Sequence, residues 1–119
     1  MATKVLVIDD SMMVRRQVGT ALTAAGFVMV EACDGHDALD KLAAHADIGL
    51  VVCDVNMPRM NGLEFLEKMP RGLPVMMLTT EGQPELIQRA KALGAKGWLV
   101  KPFKPDLLVA AARKLAIAA

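Results

Sequence analysis

The stretch Val5-Leu6-Val7-Ile8-Asp9-Asp10 sets four consecutive apolar residues directly before two carboxylates. A short, unbroken aliphatic run reads as a strand covered on both faces, because a half-exposed strand would alternate polar and apolar residues. Two further runs repeat the pattern. Leu50-Val51-Val52-Cys53 ends in Asp54, and Val75-Met76-Met77-Leu78 ends in Thr79. Three doubly covered strands, each closing on a polar group, call for a parallel sheet with helices on both sides.

Working outward, strands are expected at residues 4–8, 27–30, 48–53, 73–78 and 98–100. Helical spacing fills the gaps. Val14, Val18, Ala21, Leu22 and Ala25 mark the first helix, and Ala38, Leu39, Leu42 and Ala43 the second. Leu63, Leu66 and Met69 mark the third, Leu86, Ala90 and Leu93 the fourth, and Leu107, Leu108, Ala111, Ala112 and Leu115 the fifth. Gly26 and Gly94 stand where helices end. Pro84 and Pro105 stand where a first turn tolerates a missing N–H. The second and fifth strands suit the edges, being short or ending early in a charge. With right-handed crossovers, the simplest order is 2-1-3-4-5. The expected fold is a single α/β domain spanning 1–119, a doubly wound (βα)5 unit of flavodoxin-like type with no output domain.

The chain has 119 residues and a net charge of +1. That balance gives no electrostatic case for nucleic acid as a partner. No apolar run nears the ~18 residues of a membrane span. Cys33 and Cys53 form no metal-binding motif and read as reduced, core-filling thiols, which suits the cytoplasm. His36 and His45 read as surface residues, Arg15 and Arg16 as solvent-facing residues of the first helix. With aromatics at 3%, the nine methionines are expected in the core or packed at loops.

In such a sheet, ligands bind beyond the carboxyl ends of the strands, where strand order reverses. Asp9-Asp10, Asp54, Thr79 and Lys101 all fall at those ends, and neighbouring strands are only ~4.8 Å apart. Three crowded carboxylates need a cation, and an all-oxygen donor set suits Mg²⁺, with Mn²⁺ as a substitute. A carboxylate is a competent nucleophile toward phosphorus. Asp54, central and facing both the acidic pair and Lys101, is the best acceptor. Thr79 and Lys101 are placed to receive the added charge.

This set resembles the receiver domains of two-component response regulators, in particular stand-alone, CheY-like regulators of the chemotaxis type. The resemblance spans Asp9-Asp10-Ser11 with Arg15-Arg16, the loop from Asp54 through Asn56 and Pro58 to Gly62, and Gly97-Trp98-Leu99-Val100-Lys101-Pro102-Phe103. It implies that Asp54 is phosphorylated, that Asp10, Asp54 and the Asn56 carbonyl bind Mg²⁺, and that Asp9 acts through water. It implies phosphoryl contacts from Thr79 and Lys101, a cis Lys101–Pro102 bond, and a switch role for Trp98, where tyrosine or phenylalanine is more usual. The implied function is a signalling switch, not an enzyme beyond its own phosphorylation and dephosphorylation. It would be a cytoplasmic monomer served by a sensor histidine kinase and read by a downstream protein, such as a flagellar motor switch or relay protein, at a helix 4–strand 5–helix 5 surface. The alanine-rich fifth helix is expected to offer that reader a small-residue outer face.

Three alternatives differ in kind. A phosphoryl shuttle or sink between histidine-bearing proteins would use the same site. A flavin-binding electron carrier of the same fold would need a phosphate-cradling loop after strand one, where this chain has Asp9-Asp10. An aspartate-dependent phosphohydrolase would want a second carboxylate two residues after Asp54, where this chain has Asn56.

Overall fold

Five hydrophobic segments pair into one parallel sheet ordered β2-β1-β3-β4-β5. In the computed structural model, residues 3–55, 62–69, 72–80 and 84–116 are described. The strands are β1 (Lys4–Ile8), β2 (Val28–Ala32), β3 (Ile48–Asp54), β4 (Val75–Thr80) and β5 (Gly97–Lys101). The helices are α1 (Met12–Ala24), α2 (Gly35–Ala44), α3 (Gly62–Lys68), α4 (Pro84–Ala92) and α5 (Pro105–Leu115).

Side chains alternate across each strand, and the sheet therefore has two cores. Val5, Val7, Leu50, Val52, Met76 and Leu78 point to one face, where they meet Val18 and Leu22 of α1 and Leu108 and Ala112 of α5. Leu6, Ile8, Val51, Cys53, Val75 and Met77 point to the other, where Ala38, Leu42, Phe65, Leu66 and Ala90 cover them. The edge strands are only partly covered, and Val28, Trp98 and Val100 are exposed.

One irregularity sets the geometry of everything above the sheet. Lys4 pairs with Ile48 but Val5 pairs with Leu50, so β3 carries an extra residue, Gly49, at its start. A one-residue slip changes which residues stand opposite each other. With it, Ile8 meets Cys53, and the next residue of β1, Asp9, comes level with Asp54. Without it, Asp9 would have faced the level of Cys53.

Strand and helix ends differ from expectation for local reasons. Residue 27 is not in β2, because the Phe27 N–H closes onto the Leu22 carbonyl at the end of α1. Residues 73 and 74 precede β4, since Pro74 has no N–H for the ladder and offers only its carbonyl, to Val51. Gly26 and Gly94 adopt positive φ (95° and 105°) and terminate α1 and α4 as the sequence suggested. Several residues expected inward lie outside. Leu107 is exposed, as are Met12 and Met13 in the first turn of α1, whereas Met76 and Met77 fill the core. Cys53 is buried but Cys33 is exposed, so only one thiol fills the core. On α5, Ala112 is buried and Ala111 half-buried, leaving Ala110 with Asp106, Leu107, Arg113 and Lys114 on the outside. The small-residue outer face expected there is therefore absent; the face is mixed apolar and charged.

Phe65 is the largest fully buried side chain. Phe65→Ala is expected to cost about 3–5 kcal/mol in urea unfolding through the cavity it leaves. Met13→Ala, in contrast, is expected to change stability by less than about 0.5 kcal/mol.

Candidate phosphoryl and metal site

Asp9 is the anchor of the site. It is fully buried, and its N–H continues the sheet by donating to the Ala32 carbonyl at 3.2 Å. One carboxylate oxygen accepts the Ser11 N–H at 2.9 Å, closing a tight turn after β1. Ser11 also caps α1, its hydroxyl accepting the Val14 N–H at 3.3 Å. Strand, turn and helix start are thus locked together, and the corner holds Asp10 up into solvent beside Asp9.

Asp54 ends β3 and is almost as buried as Asp9, with 4% of its surface exposed. Lys101 ends β5 and crosses above β4 to reach both carboxylates. Its Nζ lies 3.1 Å from Asp9 Oδ2 and 3.3 Å from Asp54 Oδ1. The strands explain this convergence. Asp9, Asp54 and Lys101 continue the alternation of Val7, Val52 and Leu99, all of which belong to or pack against the α1/α5 core. The Lys101–Pro102 peptide is cis, as the resemblance implied.

Oxygens of Asp9, Asp10 and Asp54 all lie within 4.8 Å of one another. Three ionised carboxylates against one ammonium leave a formal charge of −2. An all-oxygen set of carboxylates with this excess of negative charge fits Mg²⁺ or Mn²⁺. Asn56, whose carbonyl was expected to join them, lies outside the described residues.

The electrostatics follow the same geometry. Burial alone would push the Lys101 ammonium toward its neutral form, but the carboxylates of Asp54 and Asp9 outweigh it and raise its pKa. The adjacent Cys53 thiol is pushed up by burial and then by Asp54 and Asp9, which leaves it protonated and unreactive.

Thr79 does not join the four-membered cluster by any hydrogen bond. It is fully buried, and among the described residues its Oγ1 has no hydrogen-bond partner. Thr79 continues the alternation of Val75 and Met77, on the α2–α4 side of the sheet. A buried hydroxyl left unpaired costs about 1–3 kcal/mol, so this oxygen suits an incoming acceptor.

Sequence reasoning missed Arg15. It was read as solvent-facing, yet its guanidinium donates to the Asp9 main-chain carbonyl through Nη1 and to Glu31 through Nε, the latter at 3.1 Å. No local signal names these partners, because one is a main-chain carbonyl and the other stands on β2, and they meet Arg15 only once α1 packs beside β2. Arg16 is exposed as expected, His36 is exposed, and His45 is half-buried beside Lys4, 3.4 Å from its Nζ.

The folded protein holds the Lys101 proton more tightly than the unfolded chain does. Its contribution to stability is complete below the ordinary lysine value of about 10.4 and is lost as pH rises through the higher folded-state value. In metal-free buffer, the gap in urea midpoint between the parent protein and Lys101→Met is therefore expected to shrink across that alkaline range. A gap that stays constant would contradict the assignment.

Comparison with known proteins agrees with the geometry. A family model described as the response regulator receiver domain matches residues 5–113. Chemotaxis protein CheY1 of Helicobacter pylori is 40% identical over 112 residues, 88% of this chain and 90% of that protein. Chemotaxis protein CheY of Treponema pallidum is 39% identical over 105 residues, 84% of this chain and 73% of that one. The crystal structure of Vibrio cholerae chemotaxis protein CheY4 superimposes with a TM-score of 0.88 at 40% identity, covering 97% of this chain and 99% of that one. Fold, strand-end carboxylates, bridging lysine and these relatives lead to one conclusion: the chain belongs to the response regulator receiver domain family, among its CheY-like members.

Proposed function

We propose that the protein is a phosphorylation switch in which Asp54 accepts a phosphoryl group from a sensor histidine kinase. The observation that carries this is the pairing of Lys101 with two buried carboxylates from different strands, one of them at the candidate acceptor. A buried ion pair is weak evidence for stability. A lysine that spans two acidic strand ends is well suited to meet charge that arrives during a reaction.

In the proposed reaction, an Asp54 carboxylate oxygen attacks phosphorus and a P–O bond forms. The P–N bond to the donor imidazole breaks, and the nitrogen keeps the electron pair. Mg²⁺ bound by Asp10, Asp54 and the Asn56 carbonyl, with Asp9 acting through water, would neutralise charge on the phosphoryl oxygens. Lys101 exchanges part of its pairing with Asp54 for the new oxygens, and Thr79 gains an acceptor for its orphaned hydroxyl. The phosphoryl adds about one negative charge to the cluster. An open groove of ≈1030 Å³ lies beside Lys101, between α1 and the start of α5, lined by Met12, Met13, Arg16, Phe103 and Pro105.

The readout runs through β5. Thr79 pairs with Val100 and Met77 with Trp98, and Trp98 and Val100 are exposed at the α4 side of the edge. A shift of Thr79 toward the phosphoryl group would loosen the packing next to them and let the Trp98 ring turn inward. The surface of α4, β5 and α5 would then be read by a partner protein, a flagellar motor switch or a relay protein. Among the described residues no helix is long and apolar enough to cross a membrane. A cytoplasmic monomer is the working form we propose.

Acetyl phosphate with Mg²⁺ is expected to add the mass of one phosphoryl group to the intact protein, and Asp54→Asn is expected to remain unmodified. Equal labelling of both would refute the acceptor assignment. A beryllofluoride complex is expected to change Trp98 fluorescence, and Thr79→Ala is expected to abolish that change while leaving binding at Asp54 intact. A response that survives in Thr79→Ala would refute the relay.

A further inference from the structure

The Asp10 carboxylate has the weakest local support in the cluster. It is exposed, and no hydrogen bond holds it among the described residues. Its place is set through the main chain alone, by the peptide it shares with Asp9. Asp9 is held on two sides by the Ala32 carbonyl and the Ser11 N–H. The Ser11 bond closes a turn through the Asp9–Asp10 peptide and limits its rotation, but neither bond gives that peptide's carbonyl oxygen a partner, and any residual rocking of the planar unit carries Asp10 with it.

Arg15 supplies that partner. Its Nη1 donates to that carbonyl, while its Nε is held by Glu31 on the adjacent edge strand. We propose that Arg15, braced by Glu31, is a positioning residue that fixes the Asp9–Asp10 peptide and so presets the Asp10 carboxylate for the divalent cation. The inference rests on the cation reading above, and it goes further by assigning a role to two residues outside the carboxylate cluster.

Chemistry favours arginine here. Two donors of one rigid planar fork face two acceptors on different strands, a task a lysine ammonium on a flexible stem does less well. Glu31 also offsets the charge of Arg15, so the brace adds no net positive charge beside a cation site. Arg15 retains 16% side-chain exposure and Glu31 53%. The Arg15 contact should therefore matter more than the Glu31 contact, which solvent weakens.

The experiment is Mg²⁺ titration followed by amide shifts of Asp10 and Ser11, in the parent protein, Arg15→Lys, Glu31→Ala and the double variant. Arg15→Lys keeps the charge and is expected to weaken Mg²⁺ roughly tenfold, as loss of a group that orients metal ligands does. Glu31→Ala, exposed and safe for folding, is expected to weaken it about twofold to threefold. The double variant is expected to match Arg15→Lys alone, because the brace acts only through Arg15. Single variants that bind Mg²⁺ like the parent, or effects that multiply in the double variant, would overturn the proposal. Hydrogen exchange of the Ser11 amide without metal separates the two readings. If the parent takes up no Mg²⁺, the cation reading fails, and Arg15→Lys must still speed that exchange severalfold for the brace to stand. An unchanged exchange rate refutes it.

Discussion

Two buried carboxylates share one ammonium, and the rest of the structure is arranged around that shortage of positive charge. Asp9 and Asp54 are nearly inaccessible to water, and Lys101 reaches both. Burying ions costs several kcal/mol each, even after relaxation. A pair balanced against one lysine would be a poor device for stability alone. With Asp10 added, the cluster has an excess of negative charge that invites a divalent cation. In the proposed switch, the lysine it holds would meet the phosphoryl oxygens. Burial first, and the neighbouring carboxylates of Asp54 and Asp9 second, push the Cys53 thiol up and keep it protonated.

The sheet creates this arrangement by register. Because β3 gains Gly49 at its start, β1 and β3 bring Asp9 level with Asp54 at their ends. Alternation then sends Asp9, Asp54 and Lys101 to one side of the sheet and Thr79 to the other. This division gives the proposed switch its parts. The charged groups would hold the ligand, while the threonine belongs with the face whose edge carries Trp98 and Val100. Lys91 of α4 lies 5.6 Å from the Trp98 ring centroid, so the outward ring is met by a cation as well as by solvent.

Most of the fold was legible because its determinants are local. Unbroken aliphatic runs marked the central strands, and glycines at positive φ marked the ends of α1 and α4. Charged or short segments marked the edges. The strand-end carboxylates and lysine were legible for the same reason: each follows its strand directly, and topology does the rest. Most of what escaped the sequence depends on distance across the fold. Cys33, beside Asp34-Gly35 in a loop, is exposed, while Cys53, closing the aliphatic run of β3, is buried; reading both as core thiols passed over that difference. The alanines of α5 looked like an outer surface, yet Ala112 packs inward. Helical spacing also drew Leu107 inward, whereas it lies on the solvent side of the same helix. Arg15 looked like one of two solvated charges until the folding of α1 against β2 placed it over the Asp9 carbonyl and beside Glu31.

Anomalous diffraction from a crystal grown with Mn²⁺ tests the central claim most directly. A single strong peak is expected about 2.0–2.3 Å from oxygens of both Asp10 and Asp54, with the Lys101 ammonium still paired to a carboxylate beside it. A peak located elsewhere, or Asp10 and Asp54 turned away from a common ion, would contradict the account.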